Sequence, residues 1–390
     1  MKTREPAQTK VLEVERELLL DALDQVAQSG IIPPSTAHLL DVGTGPYLEY
    51  AERELFQELA MHGGATVKLF EGTYGAGKTH LLQLLRERAL SSGMIVASFD
   101  LSQDLRLEDW KQVTQYFLEE MEWISNGKTI KSLPNILEQL HLQNSDQTIR
   151  LKRAKLPYPG MQQAMWWGVN RTLLGDASKF LIHNYLTGQR VPAAELKRFG
   201  LTGVKGYLSA RNAELIMKTV LSGLSELGLP GVLLLFDENE RTLQPKGRMP
   251  TRKLKIAANL MRRFIDGCTT GALPGTVAIF AVLPGFIGMC TEEYPALGQR
   301  LLPPNTEFTK AWRLTTTSLD KINVLPTPEA FLLNAVQLFC SHVELLGGRT
   351  QGLEEELNEK GTVVLQQQAD DGHKRMLMKT LAYHSLLRLT

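Results

Sequence analysis

Eight consecutive residues, Gly72-Thr73-Tyr74-Gly75-Ala76-Gly77-Lys78-Thr79, spell G-x-x-x-x-G-K-T, with His80 directly after them. Glycines at these positions let backbone amides come close to a β-phosphate. In such a loop the lysine, Lys78, reaches the β- and γ-phosphates, and the hydroxyl of Thr79 ligates Mg2+. The pattern therefore implies a bound nucleoside triphosphate with its magnesium. A glycine-rich turn with no ligand is the plainer reading, and the flanks argue against it. Thr66-Val67-Lys68-Leu69-Phe70 is β-prone and largely apolar, and His80 to Leu90 is an amphipathic helical run. That strand–loop–helix order is the context the motif needs, and the helix N-terminus adds partial positive charge.

A second constellation supplies carboxylates. Gly231-Val232-Leu233-Leu234-Leu235-Phe236-Asp237-Glu238 is an unbroken apolar run closed by two acids. Such a run reads as a buried parallel strand, and its carboxyl end is where open α/β sheets place ligands. Asp237 is the candidate for holding the metal through water, and Glu238 for polarising an attacking water. On its own the pair would be an ordinary acidic turn; beside the glycine loop it completes a catalytic set. Glu240 is either a further acid of the site or solvated.

These residues need a scaffold, and the periodicities supply one. Residues 10–29 carry apolar side chains at helical spacing, and Gly30-Ile31-Ile32-Pro33-Pro34 ends the run. A second helix is expected from about Tyr47 to Met61. Met94-Ile95-Val96-Ala97-Ser98-Phe99 reads as another buried strand, which makes a βαβ unit with the glycine loop. From Leu107 to about Leu229 the chain reads as almost wholly helical, too long for a plain crossover. Adjacent Trp166 and Trp167 there read as packing anchors. A helix from about Thr251 to Asp266 and a strand at Thr276–Val282 follow, with a last strand near Trp312-Arg313-Leu314. After Pro326 two helical runs remain. The expected fold class is α/β: an AAA-like phosphate-loop sheet with a large helical insertion and a C-terminal helical lid. Its divisions are an N-terminal helical element (1–35), a core in two parts (36–106 and 230–325), the insertion (107–229) and the lid (326–390).

Composition narrows the class further. A chain of 390 residues exceeds one ordinary core. Its 43 basic and 42 acidic side chains nearly cancel, so overall charge says nothing about a polyanionic partner. Cys268, Cys290 and Cys340 lack metal-type spacing, which suits a reducing compartment. The first residues lack the apolar core of a signal peptide, and no apolar stretch approaches bilayer length. A cytoplasmic protein is expected.

Several segments together resemble a known family, the ATP-binding proteins of bacterial BREX phage-defence systems. They are Gly30-Ile31-Ile32-Pro33, the Val42-Gly43 turn, Glu71 through Glu87, Val96 through Ser102, Ser209-Ala210-Arg211-Asn212-Ala213, and Tyr294-Pro295-Ala296-Leu297-Gly298-Gln299-Arg300-Leu301. The resemblance spans roughly residues 28 to 302. It implies an AAA-like ATPase using ATP and Mg2+, working in an oligomer or beside other defence-system proteins on DNA. It carries over the phosphate loop, Asp237 and Glu238 intact. It also puts a candidate arginine finger at Arg300, which would act on a neighbouring subunit's nucleotide; a surface arginine on a helix is the other reading. One position departs. Where the family and its relatives have a small polar residue that senses the γ-phosphate, this chain has Leu283-Pro284. Leucine makes no hydrogen bond, so a nucleotide-dependent assembly switch with little hydrolysis stands as the alternative function.

One local charge excess stands out. Lys246, Arg248, Arg252, Lys253, Lys255, Arg262 and Arg263 lie between Gln244 and Arg263 with no acid among them. Lys246, Arg248, Arg252, Lys253 and Lys255 are candidate contacts to DNA phosphates, sequence-independent and salt-sensitive. Arg150-Leu151-Lys152-Arg153-Ala154-Lys155 is a weaker cluster. Both are also consistent with solvated faces. Glu354, Glu355, Glu356 and Glu359 read as a solvated helix.

Overall fold

The computed structural model describes residues 5–101, 105, 109–141, 145–237, 251–301, 315–322, 325, 327–367 and 373–389. Its centre is a seven-stranded sheet. In chain order the strands are β1 (Thr66–Glu71), β2 (Ile95–Asp100), β3 (Glu122–Ser125), β4 (Lys128–Lys131), β5 (Val232–Asp237), β6 (Thr276–Val282) and β7 (Thr316–Ser318). In space they run β4-β3-β2-β5-β6-β1-β7. β2, β5, β6, β1 and β7 are mutually parallel, while β3 and β4 form an antiparallel edge hairpin. All five parallel strands therefore end on one side, with Asp100 beside Asp237 and Glu71 beside Val282. β1 and β2, joined through the glycine loop and its helix, are separated by β5 and β6.

The apolar runs explain the burial. In β5 the alternation sends Val232, Leu234 and Phe236 to one face and Leu233 and Leu235 to the other. Phe99, Phe236 and Phe280 sit on three adjacent strands in register. Their rings stack at 4.4 Å between successive centroids, a cross-strand ladder that pins the parallel pairing. One face is covered by the helix Thr251–Thr269 and by helices of the segment between β4 and β5. The other is covered by the loop helix Lys78–Ser91 and by the helix Gly45–Tyr50, which continues as the wider π-type helix Ala51–Leu59.

A third core lies apart from the sheet. The opening helix Glu5–Ser29 packs on the C-terminal helix His373–Leu386, and its Leu19, Ala22, Leu23 and Val26 share one apolar cluster with that helix and with Pro328–Leu345 and Leu353–Gln367. The two chain ends thus share one apolar cluster. Gly30 ends the opening helix in a left-handed conformation, φ +67°, and donates its N–H to the Val26 carbonyl at 2.7 Å.

One expectation needs correction. The stretch from 107 to 229 is not wholly helical, because β3 and β4 lie within it and extend the core sheet from β2. Asn126 and Gly127 make their two-residue turn with φ of +51° and +72°. Asn-Gly is the residue pair such a hairpin turn favours, and Trp123, buried with its indole N–H donated to the Gly93 carbonyl at 3.0 Å, anchors the hairpin. A last strand, Thr316–Ser318, lies close to the expected one; Trp312-Arg313-Leu314 themselves lie outside the described residues.

Candidate nucleotide site

The loop after β1 has the conformation its glycines permit. Gly75 and Gly77 take positive φ, +75° and +96°, and Gly77 caps the helix Lys78–Ser91. At Gly72 the limit is space: a Cβ there would meet Leu319 Cδ1 at 2.5 Å and Lys78 Cγ at 3.2 Å. The Gly72 amide donates to the Val282 carbonyl at 3.0 Å, tying the loop to the end of β6. Lys78 is buried, and its ammonium donates to the Gly72 and Thr73 carbonyls at 2.7 and 3.0 Å. It also lies 5.4 Å from the Tyr74 ring centroid, while Tyr74 is itself half exposed.

Asp237 closes the site from β5. Thr79 Oγ1 donates to Asp237 Oδ2 at 2.6 Å. A hydroxyl and a carboxylate in contact are hard oxygen donors of the kind magnesium takes when it keeps most of its shell for phosphates and water, so these residues fit that ion. Glu238, Lys246 and Arg248 lie outside the described residues.

Above the loop opens a cavity of about 400 Å³. Residues 73–81, Gln83 and Asp237 form its floor. Its walls are apolar: Ile31, Ile32, Leu40 and Val42 from the segment after the opening helix, Leu319 and Ile322 after β7, and Phe331 and Met378 from the lid. Such a cavity suits a ligand with a polyanionic end and a flat apolar end. Two cations of the helix His373–Leu386, Lys374 and Arg375, also line it, and Arg375 donates to the Ser29 carbonyl at 3.0 Å. The strand, glycine loop and helix from Thr66 to Ser91 were legible in the sequence, and the share of the C-terminal helices in the cavity was not. Lys374 and Arg375 lie almost 300 residues downstream in an unremarkable helix, so no local pattern points to them.

The family described as BREX system ATP-binding protein BrxC/D matches residues 13–173. That span contains most of the opening helix, the whole glycine loop 72–79 and its helix, β2 and the edge hairpin, and it bears out the resemblance there. Asp237, Glu238 and Arg300 lie beyond it. No curated protein matches the chain, and no solved structure does.

His80, in the cavity floor, faces Asp41 just behind the lining. Their closest atoms are 4.0 Å apart, and Thr44 Oγ1 donates to the same Asp41 oxygen at 2.6 Å. Burial pushes the His80 imidazole below its ordinary value, with Asp41 opposing. Glu71, the last residue of β1, is raised by burial, although the backbone amides of Gly285 and Ile287 act against this.

The remaining candidates are scattered. Arg300 does not line the cavity: its Nε donates to Asp266 Oδ1 at 2.5 Å and its Nη1 to the Ala296 carbonyl at 2.8 Å. Leu283 stands half-buried directly after β6, the strand between β1 and β5. In the basic cluster, Arg252 is exposed, Lys255 is 3.8 Å from Glu293, Arg262 pairs with Asp266 at 3.2 Å, and Arg263 pairs with Glu214 at 2.6 Å. Arg150 pairs with Glu226 at 3.6 Å, and Lys152 lies over the Trp166 ring at 4.7 Å. Trp166 and Trp167 meet each other edge to face, 4.8 Å between centroids, and both pack partly buried against the core, as their reading as anchors requires.

Cys268, Cys290 and Cys340 are unpaired, and burial raises the thiols of Cys268 and Cys290 to about 12. None is a ready nucleophile. Among the described residues no helix is long and apolar enough to cross a membrane, and no group of His, Cys, Asp or Glu forms a metal cluster.

Proposed function

We propose that this chain is an AAA-like ATPase of a prokaryotic defence system, binding Mg-ATP across the phosphate loop and the lid. The observation that carries the reading is the 2.6 Å contact between Thr79 and Asp237, which unites two motifs 158 residues apart at the carboxyl ends of β1 and β5. Thr79 directly and Asp237 through water would hold the magnesium, whose charge would offset that of the phosphates. Lys78 exchanges its loop carbonyls for phosphate oxygens. Glu238, the residue after Asp237, orients and polarises the attacking water. The placement of β6 between the two motif strands and the helical lid over the cavity support the AAA-like assignment. Arg300 acts in trans within an oligomer, and Lys246, Arg248, Arg252, Lys253 and Lys255 touch DNA phosphates.

Leu283 favours a second reading. It follows the strand that separates the two motifs and offers no hydrogen bond to a γ-phosphate or water. On that reading the chain is a nucleotide-dependent switch that organises partner proteins and turns over slowly. Calorimetry with Mg-ATP, joined to phosphate release and mass measurement with and without nucleotide, separates the two. Binding with turnover supports the ATPase, binding with a change of mass and no turnover supports the switch, and no binding overturns both.

A further inference from the structure

Residues 189–212 hold five cations, Arg190, Lys197, Arg198, Lys205 and Arg211, against one carboxylate, Glu195. The whole chain carries a net charge of only +1. All five cations are exposed, and none of them pairs with a carboxylate of the described residues. The segment also carries rings, which the cluster at 246–255 lacks. Tyr207 is 46% exposed, and the Arg190 guanidinium lies over its ring at 5.1 Å. Phe199 is 38% exposed, with Arg198 over it at 5.5 Å.

The loop bearing Lys205, Tyr207 and Arg211 is held firmly from beneath. Tyr185 Oη donates to the Lys205 carbonyl at 2.9 Å, and Asn212 Nδ2 donates to the Tyr207 carbonyl at 2.9 Å. Asn212 Oδ1 accepts from the Ser209 amide at 2.8 Å. Gly206 has φ +81°, and a Cβ there would come within 2.0 Å of the Tyr158 hydroxyl. Leu208 is buried directly beside the exposed Tyr207. Backbone polar groups and one apolar anchor fix this loop, while its charged and aromatic side chains are turned outward. A loop fixed in that way costs little further entropy when it binds.

Surface cations opposed by acids are ordinary solvated charge; cations without carboxylate partners, set beside exposed rings, are not. Phosphates satisfy the cations, and the exposed rings offer faces on which unpaired bases stack. Duplex DNA hides those faces. We propose that the Arg190–Tyr207 platform, with Lys205 and Arg211, binds a single-stranded nucleic acid. This surface is separate from the nucleotide cavity and from the cluster at 246–255. It connects to the latter through Glu214, two residues past Asn212, which pairs with Arg263 on the helix that also carries Arg252 and Lys253.

The test is fluorescence anisotropy of the full chain with a labelled oligothymidine and with a mixed-sequence duplex of equal length, across a salt series. The single strand should bind more tightly than the duplex. Tyr207→Ala should weaken single-strand binding by about tenfold or more, and Tyr207→Phe should retain it, since stacking needs the ring and not the hydroxyl. Lys205→Ala and Arg211→Ala should each flatten the salt slope by about 0.7. ATP affinity, measured by calorimetry on the same proteins, should not change, which confirms that each variant is folded. Absence of single-strand binding overturns the proposal, as does duplex preference or a Tyr207→Ala variant that binds like wild type. Loss of binding in Arg252→Ala alone, with the loop variants unaffected, moves the surface to the other cluster and also overturns it.

Discussion

Arg300 and Asp266 are joined by a 2.5 Å charged hydrogen bond between the helix Pro295–Leu301 and the helix Thr251–Thr269. Asp266 also takes Arg262 at 3.2 Å. A guanidinium so held points at its own subunit's helix. To serve a neighbouring nucleotide it must leave Asp266, and the phosphate charge must outweigh that bond.

Arg300→Ala should therefore lower turnover and leave ATP affinity nearly unchanged, because developing transition-state charge is what a finger stabilises. The expected loss is about 10³-fold. Mixtures of Arg300→Ala with Glu238→Gln subunits should recover part of the activity, since some interfaces then pair an intact finger with an intact water-orienting acid. Both mutants assembling normally with no recovery in any ratio would leave Arg300 a partner of Asp266 and nothing more.

Lys78→Ala should weaken ATP by at least about tenfold, because a charge-assisted contact to the phosphates is lost. The same substitution removes the donor to the Gly72 and Thr73 carbonyls, so some loosening of the empty loop is expected as well. Calorimetry distinguishes the two effects, because loop loosening alone lowers the melting temperature without nucleotide. Wild-type affinity in the variant would contradict the phosphate-loop assignment.

Glu238→Gln keeps the shape of the side chain and removes its basicity. Binding should persist while phosphate release falls by about 10²- to 10⁴-fold. If the wild-type chain releases no phosphate under any nucleotide, nucleic-acid or partner condition, the switch reading prevails.

What could be read from the sequence was local. Thr66 through Leu90 announces its strand, loop and helix within one short window, because the glycines and the apolar alternation act on neighbouring residues. Val232–Asp237 was legible because a strand buried on both faces must be continuously apolar. The edge hairpin escaped because Glu122–Ser125 and Lys128–Lys131 are short and mostly polar, and their signal lay in Asn126-Gly127. The cavity roof escaped for a different reason. Ile31, Phe331, Lys374 and Arg375 meet only because the opening helix and the lid share one core, a contact between the ends of the chain that no window can contain.

That shared core predicts a pH dependence of stability. His342 lies in the lid helix Pro328–Leu345, 8% exposed, its Nδ1 without a hydrogen-bond partner and its ring 6.3 Å from Phe339. Burial lowers its imidazole to about 4 from an ordinary 6.5. The folded state therefore binds fewer protons than the unfolded state between those values, and stability rises with pH there. It should be complete above pH 6.5 and fall as pH drops toward 4, by about 2–3 kcal/mol for a shift of this size. Glu356 acts in a lower window. Its carboxyl is held below 4.5, chiefly by its hydrogen bond with Arg388 and also by His384, so its share is lost only as pH falls beneath that value. Thermal melts of wild type and His342→Leu between pH 7 and 4 should diverge. The variant should lose less melting temperature than wild type between pH 6.5 and 4.5, keeping the share that His80 and His183, both lowered by burial, contribute there. Parallel curves for the two proteins from pH 6.5 to 4.5 would mean that His342 is not the group responsible.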